Sequence, residues 1–136
     1  MIKKIPFRFA ANAMLFICTC AVLFHILVLA GICPYSIVWG GRIENKTQMI
    51  IFEFISILAV LLVMLMIGIK ARLVQRITPG KIVTFIIYGL SLLFALNTIG
   101  NIFSLSTLEA ILFTPVTLLA CILCWRIASE SNKQSV

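Results

Sequence analysis

Four stretches of about 20 apolar residues each, near positions 9–32, 49–69, 82–102 and 108–127, take up most of this chain of 136 residues. Runs of that length with few charges match the span of a bilayer's hydrocarbon. Only a helix or a closed barrel satisfies its own backbone polar groups there, and continuous rather than alternating apolar runs select the helix. Hydrophobic residues make up 62% of the chain and charged residues 11%, with a mean hydropathy of +1.19. That balance excludes a soluble domain of this size. The expected fold is an all-α membrane protein, a four-transmembrane-helix antiparallel bundle that makes residues 1–136 a single integral membrane domain.

The net charge of +7 does not read as a nucleic-acid patch, because the basic residues are scattered through short connections and helix ends. Lys3, Lys4, Arg8, Lys70, Arg72, Arg76, Lys81, Arg126 and Lys133 fall on the side of the N-terminus, the second loop and the C-terminus; only Arg42 and Lys46 fall on the other. Basic residues are retained on the cytoplasmic side. Both termini are therefore expected in the cytoplasm, in a multi-pass protein of the bacterial cytoplasmic membrane. The opening Met1-Ile2-Lys3-Lys4 resembles a secretory signal, but the apolar run after it is longer than a signal core and ends without a small-x-small cleavage site, so it reads as a retained signal-anchor.

Polar side chains inside the spans point to a site, since hydrocarbon tolerates them only where they face protein, water or a ligand. Glu53, Glu109, His25, Asn97 and Asn101 come from four spans and are expected at similar depth near the outer face. Asn97, Gly100, Asn101 and Ser104 recur at i, i+3, i+4 and i+7 and give helix 3 one polar face. Arg42, in the first loop, is a candidate counter-charge. The same loop carries Pro34-Tyr35-Ser36-Ile37-Val38-Trp39-Gly40-Gly41-Arg42, in which interfacial aromatics and a glycine pair suit a cap folded over the outer mouth.

Helix 4 repeats small residues at Thr107, Ala110, Thr114, Thr117, Cys121, Cys124 and Ala128, and helix 3 at Thr84, Tyr88, Ser91, Ala95 and Thr98. Such rows let two helices approach closely. Pro115 removes an amide donor inside helix 4 and predicts a kink, with Thr114 placed to satisfy freed backbone groups. Cys121-Ile122-Leu123-Cys124 resembles, over four residues, the membrane-embedded CxxC of the vitamin K epoxide reductase family, which implies redox chemistry. The pair falls near the cytoplasmic end, however, and the outer side offers only Cys33 where that family has two shuttle cysteines. The five cysteines therefore read as small apolar packers, with no metal site and no cofactor expected.

The expected function is binding of a membrane lipid or other small amphiphile in a polar pocket near the outer face, with His25, Trp39, Arg42, Glu53, Asn97, Asn101 and Glu109 as ligand-binding residues and Phe103 and Phe113 as further walls. The alternative is an accessory subunit of a larger membrane complex, joined to a protein partner or a second copy through the small-residue faces, with the polar cluster as structural glue. Proton-coupled transport ranks below both: the chain shares four helices with small multidrug transporters but lacks a glutamate in helix 1. No catalytic residues are assigned, because no nucleophile motif accompanies His25 and the glutamates and the pattern favours a non-enzymatic role.

Overall fold

The computed structural model describes residues 4–35, 38–74 and 77–131. Lys3, Ser36, Ile37, Arg76 and Lys133, which enter the charge and loop arguments above, lie outside the described residues. The described residues form four helices, α1 (Phe7–Leu29), α2 (Lys46–Lys70), α3 (Lys81–Ile102) and α4 (Thr107–Ala128), and a 3-10 turn, Trp39–Gly41, lies between α1 and α2. The described residues contain no strand. Each helix has 22 to 25 residues, roughly 33–38 Å at 1.5 Å per residue, against about 30 Å of hydrocarbon. All four are long and apolar enough to cross a membrane.

Helix ends follow cap chemistry rather than the limits of the apolar windows. α1 stops at Leu29, three residues before the expected end, because Gly31 takes a left-handed φ of 75°. Its N–H donates to Val28 O and that of Ile32 to Leu27 O, both at 3.0 Å, which closes the helix without help from Pro34. α2 ends in the same motif, with Arg72 N–H to Ile69 O at 3.0 Å and Leu73 N–H to Gly68 O at 2.9 Å, but Arg72 takes the left-handed seat at φ 58°. At its other end α2 starts at Lys46, three residues early, since Asn45 Oδ1 accepts from Gln48 N–H at 2.9 Å. Ser106 opens α4 by accepting from Glu109 N–H at 3.3 Å.

Partner numbers that rise on one helix as they fall on the next show that neighbours are antiparallel. Met14 Sδ faces Cys124 Sγ, and Phe24 packs on Phe113; Ser91 reaches Cys121, and Thr98 reaches Thr117. Both termini and the α2–α3 loop therefore share one end of the bundle, the terminal end. The α1–α2 connection, loop 1, and the α3–α4 loop share the other. α1 touches α2 and α4, and α3 touches α4 and α2, with α3–α4 the most extensive pairing and α2–α3 the least.

The main core lies in the terminal half, where Met14, Ile67, Ile87, Leu123 and Ile127 are fully buried among small residues such as Ala10 and Cys124. A second, smaller core sits at the loop 1 end: Val38 and Ile43 pack on Val28 of α1 and Met49 of α2. Loop 1 thus folds back onto the ends of α1 and α2. The small-residue rows of α3 and α4 face each other, since Ser91 Oγ donates to Cys121 O at 2.8 Å and Thr98 Oγ1 to Thr117 Oγ1 at 3.0 Å. Thr114 does not play the backbone-satisfying role expected beside Pro115. Its hydroxyl is buried without a hydrogen-bond partner among the described residues, and it is Thr117 that donates back to Phe113 O and Thr114 O. Exposed leucines, isoleucines and phenylalanines cover the outer surface of all four helices, as a lipid-facing surface requires.

Ser91 tests the seam. Ser91→Ala should cost about 1 kcal/mol or less, the size of an interhelical hydrogen bond in a membrane. Ser91→Leu should cost about 1–3 kcal/mol by overpacking. Unfolding in mixed dodecyl maltoside and dodecyl sulfate micelles reads both, and a Leu variant as stable as the parent contradicts the close α3–α4 approach.

Candidate functional site

The seven residues singled out from the sequence do not converge on one pocket. They separate into three groups at the loop 1 end, and one residue lies outside all of them. The first group is a pair. His25, about 6 Å below the end of α1, and Glu53, about 10 Å below the start of α2 by helical rise, bring Nδ1 and Oε2 to 2.5 Å. Glu53 is 0% exposed, and its Oε1 is a buried oxygen without a hydrogen-bond partner among the described residues. The rings of Phe24 and His25 meet edge to face with centroids 5.9 Å apart, and Phe24 also packs, tilted, on Phe113 of α4 with centroids 5.1 Å apart. A carboxylate and an imidazole at this distance can share or exchange a proton. In a low-dielectric site the contact also fixes the rotation of α2 against α1.

The second group lies in α3–α4. Asn101 Nδ2 donates to Thr117 Oγ1 at 3.2 Å, and Ser104 Oγ donates to Glu109 Oε2 at 2.7 Å while accepting from Ser106 N–H at 3.0 Å. Glu109 is the third residue of α4 in a Ser106-x-x-Glu109 sequence, where a negative charge near the helix N-terminus is favourable. The hydrogen bonds described for it run to Ser104 and Ser106 of its own loop. The expected single polar face of α3 is split: Asn101 and Ser104 turn to α4, while Asn97 and Gly100 are exposed and join neither group.

The third group is in loop 1. Trp39 holds φ 56°, a left-handed conformation rare for a bulky residue. Its ring lies 4.8 Å from that of Phe52 on α2 and is 42% exposed. The two rings border an open cavity of about 380 Å³ with Arg42, Glu44 and Gln48 around it. Arg42 is exposed in this group and does not reach down as the counter-charge of Glu53, whose side-chain partner is His25. Phe103 is exposed and Phe113 is taken up by Phe24, so these two do not wall the Trp39 cavity. Among the described residues no three His, Cys, Asp or Glu side chains converge as a metal site, and the five cysteines are free, with Cys18 and Cys124 buried.

No family model, curated protein or solved structure matches this chain. Its site must be argued from its own geometry.

A fourth polar group lies at the terminal end, where sequence alone marks Lys70 and Arg126 as topology-setting charge. Lys70 is 4% exposed, with Nζ donating to Thr84 Oγ1 and Glu130 O, each at 2.9 Å. Arg126 Nε donates to Ile5 O, and its Nη1 meets Glu130 Oε2, both at 2.6 Å. The signal in the sequence is spacing: Lys70 lies seven residues beyond buried Val63, on the same face of α2.

A double-mutant cycle tests the His25–Glu53 contact. Glu53→Gln and His25→Ala, alone and together, should show a coupling of about 0.6–1.7 kcal/mol in micellar unfolding, the range for interhelical polar pairs. Additive effects would mean that the two side chains do not interact in the membrane.

Proposed function

We propose that this is a multi-pass membrane protein that holds a small amphiphile or lipid at the loop 1 end, with the Trp39 and Phe52 rings as the apolar platform and Arg42 as the charge facing an anionic headgroup. The supporting observation is the conformation of Trp39. A left-handed seat costs a residue with a Cβ about 1–2 kcal/mol, and glycine fills the comparable seat at Gly41, φ 70°. Keeping a half-exposed indole there favours a role for the ring itself. The cavity beside it offers an apolar wall together with one cation, one carboxylate and one amide, the mixture that suits an amphiphile at an interface. The His25–Glu53 pair supports this reading indirectly, because by fixing the rotation of α2 it aims the neighbouring Phe52 at Trp39.

Trp39→Gly removes the ring while relieving the backbone, so the variant should fold at least as well as the parent. With a photoactivatable phospholipid in nanodiscs, the parent should be labelled within residues 38–52. Trp39→Gly and Arg42→Gln should each reduce that labelling about ten-fold, equivalent to about 1.4 kcal/mol. Labelling that ignores both substitutions removes the basis for this site.

One observation favours the second reading, an accessory or self-associating subunit. Asn97 is exposed on α3 at a depth of about 8 Å from the helix end, where an amide gains from a partner helix. Asn97→Ala changing the oligomeric state or the recovery of a partner, with lipid labelling unchanged, would replace the first reading by the second.

Orientation belongs to the proposal as well: the terminal end faces the cytoplasm, supported by the excess of basic residues there. In intact cells an impermeant maleimide should label Cys33 and should miss a Ser131→Cys substitution placed in a Cys33→Ser background. The opposite pattern reverses the topology.

A further inference from the structure

Glu53 is a carboxylate held at 0% exposure, about 10 Å below the start of α2 by helical rise. Its Oε2 meets His25 Nδ1 at 2.5 Å, while its Oε1 is buried without a hydrogen-bond partner among the described residues. A carboxylate spreads its charge over both oxygens and has room for about four hydrogen bonds. With one donor on one oxygen, the charge on Oε1 stands uncompensated. Glu109, by contrast, accepts from Ser104 Oγ close to the N-terminus of α4, and Glu130 meets Arg126 just beyond the end of α4. A proton on the Glu53 carboxyl group cancels its charge and leaves Oε1 a neutral oxygen.

A second, independent observation points to the same level of the bundle. Thr114 Oγ1 is also buried without a partner among the described residues. It lies about 10 Å below the start of α4, the depth of Glu53 below the start of α2. Its neighbour Phe113 packs on Phe24, which adjoins His25. The interior at this depth therefore has hydrogen-bonding capacity that side chains leave open, as a site that takes up a proton or water requires.

The titratable groups on the elements around the pair are few. α1 adds Cys18 and Cys20 toward the terminal end, and α2 adds the exposed Lys46 at its start. Loop 1 adds Cys33 and Tyr35, with Arg42 and Glu44 exposed around the Trp39 cavity. α4 adds Glu109, bonded within its own loop, and α3 carries Lys81 and Tyr88, both in its terminal half. Among the described residues, His25 is the titratable side chain bonded to Glu53. It is also the more accessible of the two, with a side chain 18% exposed, about 6 Å below the end of α1.

We propose that Glu53 is a proton-binding site inside the bundle and that His25 relays the proton between Glu53 and water at the loop 1 end. A proton arriving at Nε2 makes the ring an imidazolium. Nδ1 then releases its own proton to Oε2, so the carboxylate becomes a carboxyl and the ring returns to neutral as the Nε2–H tautomer. The balance is one proton taken from water, and release retraces the same steps. The hydrogen bond persists in both states, from Nδ1–H to Oε2 before uptake and from Oε2–H to Nδ1 after it, so the α1–α2 contact survives. The bundle thereby holds an exchangeable proton at a fixed depth, the group through which a proton-linked binding or transport step acts. This site does not depend on the Trp39 cavity.

The test uses the full chain in nanodiscs, treated with the lipid-soluble reagent dicyclohexylcarbodiimide, which adds to a carboxyl group that carries its proton, with peptide mass spectrometry to locate the adduct. Glu53 should be labelled at a rate that rises as the buffer is acidified, by up to about ten-fold per unit of pH, and levels off as the site fills. Glu53 unlabelled at every pH at which the bundle stays folded is a fixed ion pair, and labelling at a rate independent of pH means a permanent proton; either result overturns the proposal. This arm needs no variant. The relay is read by time-resolved infrared spectroscopy after mixing into heavy water. The carboxyl band of Glu53, assigned by its loss in Glu53→Gln, should exchange deuterium at least ten-fold more slowly in His25→Gln, whose amide still donates to Oε2 but cannot take up one proton and release another. Equal exchange rates overturn the relay through His25.

Discussion

Hydrocarbon offers no hydrogen bonds, so a polar side chain in a spanning helix gains by finding a partner within the protein, and in this bundle such partnerships tie the helices together. His25 meets Glu53 across α1 and α2, Ser91 and Thr98 bond α3 to α4, Lys70 bridges α2 to α3 and to the chain after α4, and Arg126 binds the backbone ahead of α1. Apolar packing cannot supply this specificity, because a leucine gains little by exchanging lipid for another leucine. Small residues bring the helices close, and the few polar groups then fix which face meets which.

This rule is relaxed at the two ends, where the bundle meets headgroups and water. At the loop 1 end the exposed groups are aromatic, with a single cation of the lining at Arg42. At the terminal end they are cationic around Glu130. Each end holds a residue with a Cβ in a left-handed conformation, Trp39 or Arg72. Backbone strain of this kind tends to persist at functional positions.

The number and approximate limits of the helices were legible in the sequence because hydrocarbon thickness and backbone satisfaction leave one solution for four long apolar runs. The ends were less legible: Asn45 and Gly31 moved two of them by three residues, as local cap bonds operate below the resolution of a hydropathy window. Polar residues near one face were also legible as a set, but their pairing was not. Depth along a helix can be counted, whereas rotation about it depends on packing, so Asn97 and Asn101, four residues apart, ended in different surroundings. Lys70 was the costliest omission, since a lysine at a helix end is ordinarily a topology signal and only its spacing from Val63 hinted at burial.

The uneven pairing of the helices bears on how such a chain is made. The extensive contacts fall within α1–α2 and within α3–α4, and each of these hairpins carries its own polar closure, His25–Glu53 in the first and the Ser91, Thr98 and Asn101 bonds in the second. A nascent chain leaving the translocation machinery one hairpin at a time can therefore enter lipid with these groups already satisfied. The two halves meet through the bonds of Lys70 and Arg126 at the terminal end and through the Phe24–Phe113 contact toward the other end. The contact pattern suits assembly by docking of two preformed hairpins.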